Sequence, residues 1–167
     1  MTDLVARLFG IVMLRLGPQD LPAGSSPLVV AMLLYLLVTT VAMSVGQTPE
    51  QPVLVLILAL TLPLLLARIV LTLRQLPQRW SQTVTALFGT SAILTAISLP
   101  LAATGGGEGE PPLFTALASL AVFLWSFAID AHIWRHALNT TYAAGLAVAV
   151  VLFAITLFTI TTLAGPL

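Results

Sequence analysis

The sequence predicts an all-α membrane protein: a bundle of five transmembrane helices preceded by an interfacial amphipathic helix. Composition is the first reason. The chain is 59% hydrophobic and 7% charged, with a mean hydropathy of +1.08, whereas about 25% of the residues of a soluble domain are charged. Six basic and six acidic residues are too few to keep the surface of a 167-residue soluble fold wet. Run length is the second reason. Apolar runs cover 27–45, 52–73, 80–103, 113–134 and 141–164. Each approaches the ~20 residues that a helix rising ~1.5 Å per residue needs to cross ~30 Å of hydrocarbon. The third reason is where the charges fall. With the N-terminus in the cytoplasm, Arg7, Arg15, Arg74, Arg79 and Arg135 all lie on cytoplasmic segments, and Arg68 lies near that end of the second run. The opposite loops hold Glu50, Glu108 and Glu110 and no basic residue, which is the positive-inside pattern.

Residues 1–25 form a cytoplasmic interfacial helix and turn, and 26–167 form the five-span bundle. In residues 1–16, Leu4, Leu8, Ile11 and Val12 recur at helical spacing, while Asp3, Arg7 and Gly10 gather on another side. The segment is too short to span and has no cleavage site of the small-x-small type, so it is not a secretory signal. It reads as a helix lying on the cytoplasmic leaflet, with Arg7 and Arg15 near anionic headgroups. Gly17, Pro18 and Pro22 then break it. Pro49 marks the short outer turn 47–51, and Pro63 interrupts the second span, where it removes a backbone bond and kinks the helix. Pro77 marks the inner turn 74–79, and Trp80 beyond it suits the aromatic belt. Pro100 sits near the outer end of the third span. Residues 104–112 (TGGGEGEPP) form a flexible outer loop, residues 135–140 close the last hairpin inside, and the chain ends outside. Short loops make neighbouring helices antiparallel.

Few residues carry chemistry. Arg68 and Asp130 lie at matching depth inside spans two and four, where an isolated charge costs ~2.5–3.5 kcal/mol at mid-bilayer. The spacing predicts an interhelical Arg68–Asp130 ion pair that fixes packing, ahead of an Arg68 that snorkels to the headgroups or a proton relay. Thr115, Ser119, Ser126 and Asp130 fall within about 60° on one side of span four and form a polar seam that must face protein or water. Ser91, Thr95 and Ser98 mark span three in the same way. In span five, Gly145, Ala149, Thr156 and Thr159 share a face with Leu152, a helix-packing face of small and hydroxylated residues. These seams read as packing glue, with a permeation path as the sharper alternative.

Catalysis finds no support. His132 and His136 are one turn apart, but Asp130 points about 160° away from His132 and no other His or Cys exists to complete a metal site. Cysteine is absent, no Ser–His pair shares a depth, and no second acid lies within the spans. Zero net charge argues against a nucleic-acid partner. The reading therefore includes no enzyme activity, metal or cofactor.

The five-span layout, the inner turn RQLPQRWSQTVTALFGTSAI leading into a Thr/Ser-rich third span, and the closing WSFAIDAHIWRHALNTTYAAGLAVAVV together resemble the bacterial relatives of the Yip family. The resemblance covers residues 26–165 and implies an integral membrane scaffold with no reaction or cofactor. All six basic residues are Arg, a bias that points to a GC-rich bacterial genome. The expectation is a non-enzymatic protein of the bacterial inner (plasma) membrane, N-terminus cytoplasmic and C-terminus periplasmic. It acts as a scaffold or accessory subunit on membrane lipids and other integral membrane proteins, with homo-oligomers open to it. The alternative is a small transporter or channel using the Thr115–Asp130 seam.

Overall fold

Proline and glycine divide this chain, and the computed structural model places its breaks at them. It describes residues 2–46, 48–105 and 112–165. Six α-helices result: α1 (Thr2–Val12), α2 (Ser25–Val45), α3 (Pro52–Leu73), α4 (Trp80–Gly105), α5 (Leu113–Leu138) and α6 (Tyr142–Ala164). There is no strand among the described residues. Helices α2 to α6 are long and apolar enough to cross a membrane, so the chain is a polytopic all-α membrane protein. Most of the 104–112 loop, Gln47, Pro166 and Leu167 lie outside the described residues.

Local chemistry explains the ends. Gly24 precedes α2 at φ +126°, a backbone conformation that side chains disfavour. Pro52 opens α3, where its missing N–H has no intrahelical partner to lose. Helix α5 runs four residues beyond the expected span, to Leu138, because Asn139 adopts the left-handed conformation that closes a helix. There the Thr140 amide donates to the Arg135 carbonyl at 3.0 Å. One residue later Thr141 caps α6 by accepting from the Ala144 amide.

Helix α4 is the hub, packing against α1, α2, α3 and α5, while α6 packs against α5 and α3. The largest core cluster joins Leu28, Ala31, Ala67, Leu71, Val84, Phe88, Trp134 and Ala137 at the end of the bundle that carries Arg74, Arg79 and Arg135. A smaller cluster of Val55, Ile160 and Ala164 closes the opposite end between α3 and α6.

The amphipathic helix α1 forms as expected, but its apolar face is taken up by protein. Leu4, Leu8, Ile11 and Val12 are buried in a second cluster with Ala86, Ile129 and Ile133. Its opposite side still exposes Val5, Phe9 and Met13, one turn apart, so α1 lies against the bundle with a second apolar stripe free for lipid. Leu8 seats on Gly89 of α4, where an added Cβ would strike the leucine side chain. The Trp125 indole, at the midpoint of α5, donates to the Val12 carbonyl at 3.2 Å. The end of α1 therefore reaches the middle of the bundle. The chain returns through Leu16, whose carbonyl lies 2.9 Å from His132 Nε2, and Leu21, whose carbonyl accepts from Gln82 Nε2 at 2.7 Å. Arg7 donates to the Asp20 carbonyl and pairs with Asp3.

Candidate functional site: a chamber around Asp130

Between the large cluster and the Val55–Ile160 cluster the five long helices do not close completely. They leave a chamber of about 380 Å³ to which every one of them contributes. Its polar lining is Asp130 and Ser126 from α5, Ser91 and Thr95 from α4, Thr156 from α6 and Tyr35 from α2. Part of each of the seams noted separately on three helices thus faces one space. The aromatic walls are Tyr35, Phe88, Trp134 and Phe153, with the Tyr35 and Phe88 rings 5.2 Å apart and tilted.

Each group reaches the chamber for a local reason. Asp130 sits about 12 Å from the Leu138 end of α5, at ~1.5 Å per residue. It stands one turn from both Ser126 and Trp134, so all three share a face. The Ser126 hydroxyl donates to the Phe123 carbonyl at 2.6 Å, which satisfies its proton and leaves its oxygen able to accept. Pro63 and Ala59 line the α3 side. Proline has no N–H, so the Ala59 carbonyl receives no bond from the residue one turn on.

The expected Arg68–Asp130 ion pair is not formed. Among the described residues the salt bridge is Arg7–Asp3, at 3.1 Å. Arg68 is exposed, and its guanidinium lies 5.9 Å from the centre of the Trp80 ring. The reason is the order of packing. Helix α3 takes α6, α4 and α2 as its principal neighbours, and α5 takes α6, α4 and α1, so Arg68 and Asp130 do not share a seam. Trp80 is itself held by its indole N–H donating to the Leu64 carbonyl at 3.1 Å.

The predicted seam divides along its length. Ser126 and Asp130 face the chamber and Thr115 is buried, but Ser119 is exposed. Between residues 113 and 122 only Thr115 is buried, because that half of α5 stands away from its neighbours. The packing face of α6 is internal. A Cβ on Gly145 would crowd the Ala131 carbonyl oxygen and lie 2.8 Å from the Arg135 nitrogen, so α5 and α6 cross there backbone to backbone. Ala149 and Thr156 continue that face into the chamber.

Four aromatics that sequence reasoning passed over belong to this site: Tyr35, Phe88, Trp134 and Phe153. Tyr35 carried a signal, as the one aromatic with a polar tip in the first span; the other three look like any core aromatic. His132, set aside above as a metal ligand, is buried and engaged with Leu16. Its ring lies 4.5 Å from that of His136. A second cavity, of about 270 Å³, opens beside them between the Pro18–Asp20 turn and the helix ends, lined by Gln19, Arg79, Gln82, His136 and Asn139. There Arg79 Nη1 donates to the His136 and Ala137 carbonyls at 2.9 and 3.0 Å, closing the C-terminus of α5.

Comparison with known protein families, with characterised proteins and with solved structures finds no match for this chain.

Proposed function

We propose that this chain is a small membrane carrier in which Asp130 takes up and releases a proton as a solute enters and leaves the chamber. One observation carries the reading. A carboxyl group about 12 Å inside a five-helix bundle, with no ion-pair partner among the described residues, faces a space to which all five long helices contribute and which Ser91, Thr95, Ser126 and Thr156 help to line. An acid within a membrane span is costly and finds its use in ion or substrate pathways. A packing residue would be cheaper as Asn or Ser, and a structural ion pair would place a cation beside it.

If the chain is a scaffold, the small-residue face of α6 is the surface a lateral partner would take. Gly145 and Ala149 are buried inside the bundle, so that face is not offered to a lateral partner. Pro63 and Ala59 on the chamber wall add to the carrier reading: α3 runs unbroken from Pro52 to Leu73, but Pro63 leaves the Ala59 carbonyl without its helical donor.

The test is proton flux in liposomes holding the purified chain and a pH-sensitive dye, driven in turn by outward gradients of small cationic, zwitterionic and neutral solutes loaded in the vesicles. Wild-type vesicles should acidify faster than protein-free ones. Asp130→Asn should remove at least about tenfold of that rate, ~1.4 kcal/mol in activation terms, while Arg68→Gln leaves it unchanged. Identical traces from wild-type and protein-free vesicles would sink the proposal.

A further inference from the structure

The chemistry of the chamber also restricts what can occupy it. We infer that the chamber binds a small organic cation of the ammonium class, seated against the Asp130 carboxylate within aromatic walls and exchanging there with a proton. The inference rests on the carrier reading for its role in transport, but the binding site stands on the lining alone.

The lining is a set of acceptors and rings. Among the described residues that line it Asp130 is the only formally charged one, and none is an arginine or a histidine. An anion would meet a carboxyl group and no cationic donor, and a neutral polar solute would sit only beside the protonated acid, with no charge to displace its proton. A hard divalent ion needs about six oxygen ligands, and one carboxylate among mainly apolar walls does not supply them. An ammonium group suits what remains. Aromatic faces attract it, tightly so for quaternary ammonium. Tyr35, Phe88, Trp134 and Phe153 line the same chamber as the acid. Ser126, its own proton committed to Phe123, and the Ala59 carbonyl opposite Pro63 add acceptors. Size agrees: at about 30 Å³ per water, 380 Å³ has the volume of roughly a dozen waters, enough for an ion of five to ten heavy atoms.

The exchange follows from charge balance. A carboxylate in this position is neutralised either by a proton on its own oxygen or by a cation beside it, and the two exclude one another. When an ammonium ion enters, the Asp130 proton leaves to water, so the net charge of the chamber stays at zero. A carrier built this way trades one proton for one monovalent cation.

Choline and its neutral carbon isostere, dimethylbutanol, are probes of the same shape that differ by the charge. They should be titrated into the purified full-length chain in detergent, following melting temperature, tryptophan fluorescence (Trp134 lines the chamber) and proton release into a weakly buffered solution. Choline should bind saturably, at least about tenfold more tightly than the alcohol, releasing close to one proton per ion. Asp130→Asn should bind the two probes alike and release no proton. Asp130→Glu, which keeps the charge, should keep the preference for choline, and Thr156→Phe, which fills the chamber, should weaken both probes. Equal affinity of wild type for choline and alcohol overturns the cation assignment, as does choline binding that is unmoved by Asp130→Asn, or none at all. These outcomes are separate from the liposome result. Proton flux without choline binding would leave a carrier of some other solute, and choline binding without flux would leave a binding protein that is not a carrier.

Discussion

At the arginine-bearing end, α4 buries Thr83, Val84, Thr85, Ala86, Phe88, Gly89, Thr90 and Ala92, whereas from Ile93 to Ala103 it buries nothing. Helix α5 repeats the contrast in reverse order: from Ile129 to Leu138 most positions are buried, and from Leu113 to Val122 only Thr115 is. One half of the bundle is packed like a soluble core, with α1 wedged against it. The other half leaves Leu117, Leu120, Phe123 and Leu124 on the outside. The difference reflects the solvent. Lipid tails are as apolar as leucine, so nothing forces apolar side chains in the far half together. The arginine end carries helix termini, a re-entering N-terminal segment and the polar Thr83, Thr85, Thr90 and His132. Buried polar groups need partners. The three threonine hydroxyls donate to carbonyls one turn back, at 2.7–2.8 Å, and His132 to the α1 segment. The chamber lies where the tight half gives way to the loose one.

Breaking the tight half should have the largest effect. Gly145→Leu puts a branched side chain where the backbones of α5 and α6 meet, and backbone atoms cannot give way cheaply. The expected loss is about 3 kcal/mol, read as a fall in melting temperature in mild detergent or as failure to purify. The matched change in the loose half, Ala121→Leu on exposed α5, should stay within about 0.5 kcal/mol. Equal losses at the two sites would remove the distinction between the halves.

A smaller effect is expected where α1 meets the bundle. Leu8 is 1% exposed and rests on Gly89. Leu8→Ala should cost about 2 kcal/mol, and hydrogen exchange should show it as faster exchange of the 2–12 amides while α6 is unmoved. Phe158→Ala, at a position 72% exposed, should change neither. Uniform exchange changes across all six helices would mean that α1 is not a separate docked element.

The smallest effect separates the ion pair from the observed geometry. Arg68 is exposed and rests on the Trp80 ring, which at exposed sites is worth ~0.5–1 kcal/mol. Arg68→Gln should cost no more than that, and its effect should add to that of Asp130→Asn within about 0.5 kcal/mol. A coupling above about 1 kcal/mol in the double-mutant cycle would restore the ion pair.

The sequence by itself determined the number, length and order of the spans. Those follow from terms local to the chain: apolar length against bilayer thickness, and the prolines and glycines at 17–24, 46–52 and 77, where the backbone must leave a helix. It also marked the right helix faces, since Ser91, Thr95, Ser126, Asp130, Ala149 and Thr156 were all singled out from spacing alone and five of the six are polar. Only the tertiary structure decided what those faces meet. Helical periodicity says which residues share a side of one helix but nothing about the neighbour opposite. In a nearly uncharged chain the choice of neighbour depends on close backbone approach at Gly145 and on the Leu8 side chain seating on Gly89. That choice placed α6 and α4 beside α5, kept Arg68 away from Asp130, drew α1 into the bundle, and turned part of each of three separate seams toward one chamber.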